Sequence, residues 1–92
     1  MVQEKQILGD CMQRNEFLYL AQECSTLPEF CGTKQNVPDK LKVIYQNVQY
    51  YPAAYTIQFD KQGNTQHIAR LHDLKVNSVI ECNLERVNKY EH

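Results

Sequence analysis

The stretch from Tyr55 to Leu71 constrains this chain more than any other. Tyr55, Ile57 and Phe59 alternate with Thr56, Gln58 and Asp60, which is the two-residue period of a strand with one face buried. Asp60-Lys61-Gln62-Gly63 then supplies a turn, because the Asp carboxylate can accept from the turn's own amides and Gly63 can take the positive φ that closes a bulged hairpin. With Asp60 facing Asn64, Phe59 falls opposite Thr65, Ile57 opposite His67 and Tyr55 opposite Ala69. That register places Tyr55, Ile57, Phe59, Ala69 and Leu71 on one side. Two strands agree on an apolar face without adjustment.

The flanking segments extend the same pattern. Leu41, Val43 and Tyr45 alternate, and a two-residue turn at Gln46-Asn47 pairs Tyr45 with Val48 and Val43 with Tyr50. Pro52 is expected to end that strand, since it cannot donate to a ladder in mid-sheet. Asp73-Leu74-Lys75-Val76-Asn77 reads as a connection, after which Ser78 to Val87 closes the sheet with Ile80, Cys82 and Leu84 inward and Glu81, Asn83 and Glu85 outward.

Towards the N-terminus, Val2 to Leu8 reads as a frayed turn. Asp10 and Gln13 form a capping-box-like pair, and Phe17, Leu20, Ala21 and Cys24 recur at helical spacing, so a helix is expected from about Cys11 to Cys24. A strand at Phe17-Leu18-Tyr19-Leu20 is the competing reading. Thr26-Leu27-Pro28-Glu29 starts a short helical turn over residues 27–31, which Gly32 can end. Residues 33–40, polar and broken by Pro38, read as a flexible linker.

Together these elements define an α+β fold: an N-terminal helix packed on a four- to five-stranded antiparallel β-meander, with a small SH3-like barrel as the alternative. The chain of 92 residues is a single small domain with a helical part at about 10–31, a linker at 33–40 and the meander at 41–87. A domain of this size buries only about 60–65% of the surface its unfolded chain exposes, which argues against a large substrate cavity.

The motifs Tyr50-Tyr51-Pro52-x-x-Tyr55, Phe59-Asp60-x-x-Gly63-Asn64 and Leu71-His72-Asp73-Leu74-Lys75-x-Asn77-Ser78-Val79 resemble short uncharacterised proteins carried by phages and mobile elements of Gram-positive bacteria. The resemblance spans about residues 41–87. It implies a genomic context and brings no motif with known chemistry.

Ten Lys and Arg against eleven Asp and Glu give a net charge of −1, so the broad basic footprint of a non-specific nucleic-acid binder is missing. No apolar run reaches the roughly 18 residues of a membrane span, and the first residues lack a basic-then-apolar signal pattern. A cytoplasmic protein is the expectation. Cys11, Cys24, Cys31 and Cys82 are then expected as reduced thiols. A zinc site from Cys24, Cys31 and His67 or His72 is disfavoured by the spacing, so no metal and no cofactor are expected. No phosphate-binding loop, nucleophile elbow, metalloprotease helix or dinucleotide fingerprint occurs, and an enzyme with a small-molecule substrate is not expected.

Three weaker chemical readings remain. His67, opposite Ile57, reads as a partly buried histidine bonded to a carbonyl or a tyrosine hydroxyl rather than as a base. His72-Asp73 reads as a turn-starting Asp after an edge histidine, because neighbours in a strand face opposite ways. Cys82, between inward Ile80 and Leu84, behaves as a small hydrophobe rather than a nucleophile. The main functional expectation is a protein-binding or regulatory module, phage or mobile-element encoded and acting on a host protein, or self-associating. Its outer sheet face, Ile44, Tyr51 and Ile68, would form an exposed apolar patch. The alternative is a nucleic-acid-binding accessory protein using Lys42, Lys61, Arg70, Lys75 and Arg86, with bases stacking on Tyr51.

Overall fold

The computed structural model describes residues 12–90. Helix α1 runs from Arg14 to Ser25. It starts later than expected, with the Gln13 N–H donating to the Glu16 carboxylate at 3.1 Å; Asp10, Cys11 and the turn assigned to Val2–Leu8 lie outside the described residues. Lys89 bonds the same carboxylate and, with Gln13, holds Glu16 below the usual carboxylate range. At the other end, Ser25 and Thr26 hydroxyls donate to the Gln22 and Glu23 carbonyls at 2.6 and 2.7 Å, occupying acceptors that a helix end leaves open. Phe17 and Cys24, two turns apart on one face, are buried. The strand reading of Phe17–Leu20 is therefore overturned.

The helical turn expected at 27–31 is replaced by a small hairpin. Strand β1 (Glu29–Phe30) pairs with β2 (Thr33–Lys34) in the register Glu29↔Lys34 and Phe30↔Thr33. Its two-residue loop has both members left-handed, Cys31 at φ 56 and Gly32 at φ 82, the conformation that matches strand twist. Residues 33–40 are likewise structured rather than a linker. Gln35 N–H donates to the Pro28 carbonyl at 2.7 Å, and a 3-10 turn spans Asp39–Leu41 behind Pro38.

Five strands form the main sheet: β3 (Val43–Tyr45), β4 (Val48–Phe59), β5 (Thr65–Asp73), β6 (Val79–Asn83) and β7 (Asn88–Lys89). Their order is β6-β5-β4-β3-β7, all antiparallel. The turn between β3 and β4 is Gln46-Asn47, both at positive φ (52 and 65), with Tyr45↔Val48 and Val43↔Tyr50 paired as counted from the sequence. The β4–β5 register also follows the count, with Phe59↔Thr65, Ile57↔His67 and Tyr55↔Ala69. Asp60 Oδ1 accepts from the Gln62 and Asn64 amides at 2.9 and 2.8 Å, and Gly63 sits at φ 85.

Pro52 does not end its strand. It pairs with Leu71, and the ladder resumes at Ala54↔Arg70, leaving Ala53 as a bulge. A bulge is where a sheet tolerates proline. The extra residue also restores parity, so Tyr50 and Tyr55, five positions apart, both pack on the same core.

The expected last strand, Ser78–Val87, is broken as well. It stops at Asn83, passes through a 3-10 turn at Leu84–Arg86, and β7 pairs with β3 at the opposite edge of the sheet. In a flat sheet those edges would be about 19 Å apart, four spacings of ~4.8 Å. A 3-10 turn rises only ~2 Å per residue, so the sheet must curl to be closed by it. The helix-on-sheet arrangement therefore holds, with the sheet bent part of the way towards the SH3-like alternative.

Two apolar clusters hold these layers together. Phe17 and Met12 pack with Val43, Ala69, Leu71, Leu84 and Val87 in the first. In the second, Cys24, Leu41 and Tyr51 gather Leu27, Val37 and Leu74, and Leu20 touches both.

Candidate functional site

The expected docking patch is not exposed. Ile44 is 7% and Tyr51 4% exposed, and Ile68 is half-buried. Tyr51 does point away from the first cluster, but the loop residues Leu27, Val37, Leu41 and Leu74, together with Cys24 of α1, cover it. Its hydroxyl accepts from the Lys34 N–H at 3.2 Å. Burial pushes the Tyr51 phenol pKa up, partly opposed by that hydrogen bond. Tyr51 is thus unavailable either to a partner or to a nucleic-acid base.

The five basic residues of the alternative reading are dispersed over separate elements. Lys42 is bound to Asp39 at 2.8 Å, and Arg70 is held by Glu81 through Nη2 at 2.7 Å and Nε at 3.1 Å. Lys61 sits at the tip of the β4–β5 hairpin, Lys75 in the 73–78 connection and Arg86 in the last 3-10 turn, all exposed.

His67 and His72 have structural partners. His72 is buried, its Nδ1–H donates to the Asp73 carbonyl at 2.8 Å, and its Nε2 lies 3.1 Å from the Asn77 side-chain oxygen. Asp73 meets His72 through its backbone; its carboxylate instead accepts from the Lys75 and Val76 amides at 2.7 and 3.3 Å. Cys24, Cys31 and Cys82 are free thiols. Burial pushes Cys24 to about 11 and raises Cys82 as well. Among the described residues, no group of three or more His, Cys, Asp or Glu is placed to hold a metal ion.

What the chain does expose is the far half of the β4–β5 hairpin. Strand β6 ends at the Ile68↔Asn83 pair and β3 at Val43↔Tyr50, so among the described residues the hairpin from Ile57 to His67 continues with no flanking strand. Phe59 is 71% and Ile57 42% exposed. Asp60 N–H donates to the Asn64 carbonyl at 3.0 Å, which makes Asp60/Asn64 a hydrogen-bonded pair. Alternation then turns the backbone N–H and C=O of Ile57 and Phe59 outward. Both the apolar side chains and the open backbone edge of β4 therefore belong to the same two residues. At the ribbon's base, the Tyr55 hydroxyl is hydrogen-bonded to His67 Nδ1, with the rings 5.8 Å apart and 20° from parallel. His67 is exposed rather than partly buried, because the core beneath its face stops at Ala69.

Fold and site define a small α+β domain with a projecting apolar β-ribbon, and among the described residues no helix is long and apolar enough to cross a membrane. No protein-family model matches the chain, and no curated protein or solved structure is significantly similar to it.

Proposed function

We propose that the protein is a protein-binding or regulatory module that engages its partner through the β4–β5 ribbon. The exposure of Phe59 and Ile57 on an open strand edge carries this reading. An uncovered edge of this kind accepts an extended segment by strand addition, with main-chain hydrogen bonds for affinity and side-chain contacts for selectivity. Covering the two side chains would contribute roughly 1.5–3 kcal/mol for each one fully buried. No charged residue lies between Ala53 and Phe59, so the fitting partner is an uncharged, extended segment. In the phage or mobile-element reading, that partner is a host protein.

A photo-crosslinking aromatic placed at Phe59, and separately at the exposed loop residue Val76, tests this. A discrete adduct from position 59 that is absent from position 76 is the expected outcome; identical patterns from both positions would overturn the reading. The nucleic-acid alternative has less support, because Lys42 and Arg70 are held by carboxylates and Tyr51 is buried.

A further inference from the structure

The regular part of the open β4 edge is short and bounded at both ends. The bulge at Ala53 limits it on one side and the turn beginning at Asp60 on the other, and among the described residues no strand pairs with it in between. Natural sheets guard such edges with charge or proline; from Ala53 to Phe59 this one has neither. We propose that a second copy of the chain closes the edge, its β4 running antiparallel to the first about a two-fold axis through Ile57. The inference rests on the reading of the ribbon as a strand-accepting edge and adds a regulation of that site, because the dimer covers the groups that a partner segment needs.

The backbone selects the register. By alternation from the Asp60/Asn64 pair, the N–H and C=O groups of Tyr55, Ile57 and Phe59 face away from β5. Ile57 is the middle one of the three. Setting Ile57 against itself places Tyr55 against Phe59 of the second copy and Phe59 against its Tyr55, so every outward group on both edges finds a partner. A shift by two residues either leaves Phe59 facing the bulge at Ala53 or sets Tyr55 against Lys61 of the turn.

The side chains agree with that register. Tyr55-x-Ile57-x-Phe59 runs aromatic, aliphatic, aromatic, an order that reads the same in both directions, as a self-complementary two-fold contact demands. Each aromatic residue meets an aromatic one across the seam and Ile57 meets Ile57, pairings that stabilise antiparallel strands. On the opposite face Thr56 meets Gln58, both polar and exposed. The turn residues Asp60 and Lys61 of one copy come beside Ala54 and Ala53 of the other, which carry no charge and little bulk, so no like charges are opposed. The seam also covers Phe59 and Ile57, 71% and 42% exposed in the single chain.

Sedimentation equilibrium of the full chain up to about 1 mM tests this, because a contact made by one short strand belongs to the weak end of protein interfaces. The parent protein is expected to pass from one chain towards two as its concentration rises. Ile57→Lys sets two ammonium groups against each other on the axis and Ile57→Glu two carboxylates, so each variant alone should lose roughly tenfold or more in self-association. An equimolar mixture of the two should regain it, since the axis then holds one charge of each sign. Position 57 is exposed, and circular dichroism checks that both variants fold. Val76→Lys, in the exposed connection after β5, should leave association unchanged. The proposal is overturned if the parent stays monomeric throughout, if either single variant associates as the parent does, or if the mixture does not recover. A monomeric parent that still gives a crosslinked adduct specific to position 59 assigns the edge to a foreign segment instead, whereas identical adducts from positions 59 and 76 remove the strand-accepting edge and the dimer together.

Discussion

Tyr51 and His72 stack across neighbouring strands, with ring centroids 4.9 Å apart and planes within 11° of parallel. They are direct partners in the β4–β5 ladder. The stack ties the sheet's outer face to two loops, because Tyr51 bonds Lys34 of β2 and His72 reaches Asn77 in the connection after β5. What reads in sequence as a docking anchor is in the fold a fastening point.

Replacing Tyr51 tests that role. Tyr51→Ala should destabilise the domain by about 3–5 kcal/mol, the usual cost of deleting a buried aromatic ring. Tyr51→Phe should cost only about 1 kcal/mol, for the lost acceptor of the Lys34 amide. Urea denaturation measures both, and an alanine variant as stable as the parent would mean that the residue is on the surface after all.

Gly63→Val should destabilise more than Gln62→Val, although both positions belong to the same exposed turn. A Cβ at Gly63 would meet nothing within 4 Å, so its cost is conformational only, about 1–2 kcal/mol for a left-handed L-residue. Equal denaturation midpoints would contradict the observed φ of 85.

Gly32→Ala combines the same strain with a clash. At φ 82 the new Cβ would clash with the Asn77 side-chain amide, so Asn77 must move and its contact with His72 is lost. The expected cost is about 2–3 kcal/mol, strain and one hydrogen bond together. In an Asn77→Gly background the clash disappears and only the strain remains. A double-mutant cycle reads the difference as a coupling energy; strict additivity would rule out the steric contact.

Cys24 gives a signed pH dependence. Burial raises its folded pKa from 9.0 to about 11, so between those values the unfolded chain releases a proton that the folded chain retains. Stability is then fully present below pH 9 and falls as pH rises towards 11, by up to about 1.4 kcal/mol per pH unit from this group. Wild type should lose more stability than Cys24→Ala between pH 8.5 and 10.5. In native protein at pH 8, a thiol reagent should label exposed Cys31 well before Cys24; equal rates would contradict the burial.

The strand registers were legible because alternation and turn chemistry spoke for the same pairing at Asp60–Gly63, while at Gln46-Asn47 alternation carried it, since Asn47 suits positive φ and Gln46 does not. The bulge at Ala53 was not, since Pro52 carries the same local signature whether a strand ends or bulges, and only the pairing with Leu71 distinguishes the two. The β1–β2 hairpin was hidden for a different reason. Its turn puts Cys31 at positive φ, a conformation that no propensity assigns to cysteine. Once residues 27–31 and 33–40 were read as a turn and a linker, their apolar members Leu27 and Val37 had no assigned partner, Leu41 was given to the strand rather than to the 3-10 turn, and the outer face of the sheet was left bare when it is in fact covered. The ribbon's face was counted correctly from sequence. That its outer half overhangs the core depends on where β3 and β6 stop, which alternation does not encode.

The link between β6 and β7 bears on how the molecule is made. Strand β3 finds its second neighbour only in Asn88 and Lys89, which a ribosome delivers after every other strand has emerged. The nascent chain can form its hairpins one by one, since each joins neighbours in sequence, yet the edge at Val43 stays open until translation has passed residue 89. Closing contacts of such wide separation are the slow ones. By sequence separation the β3–β7 seam, like the Met12 N–H to Val87 carbonyl bond, belongs with the contacts that close late rather than with the hairpins.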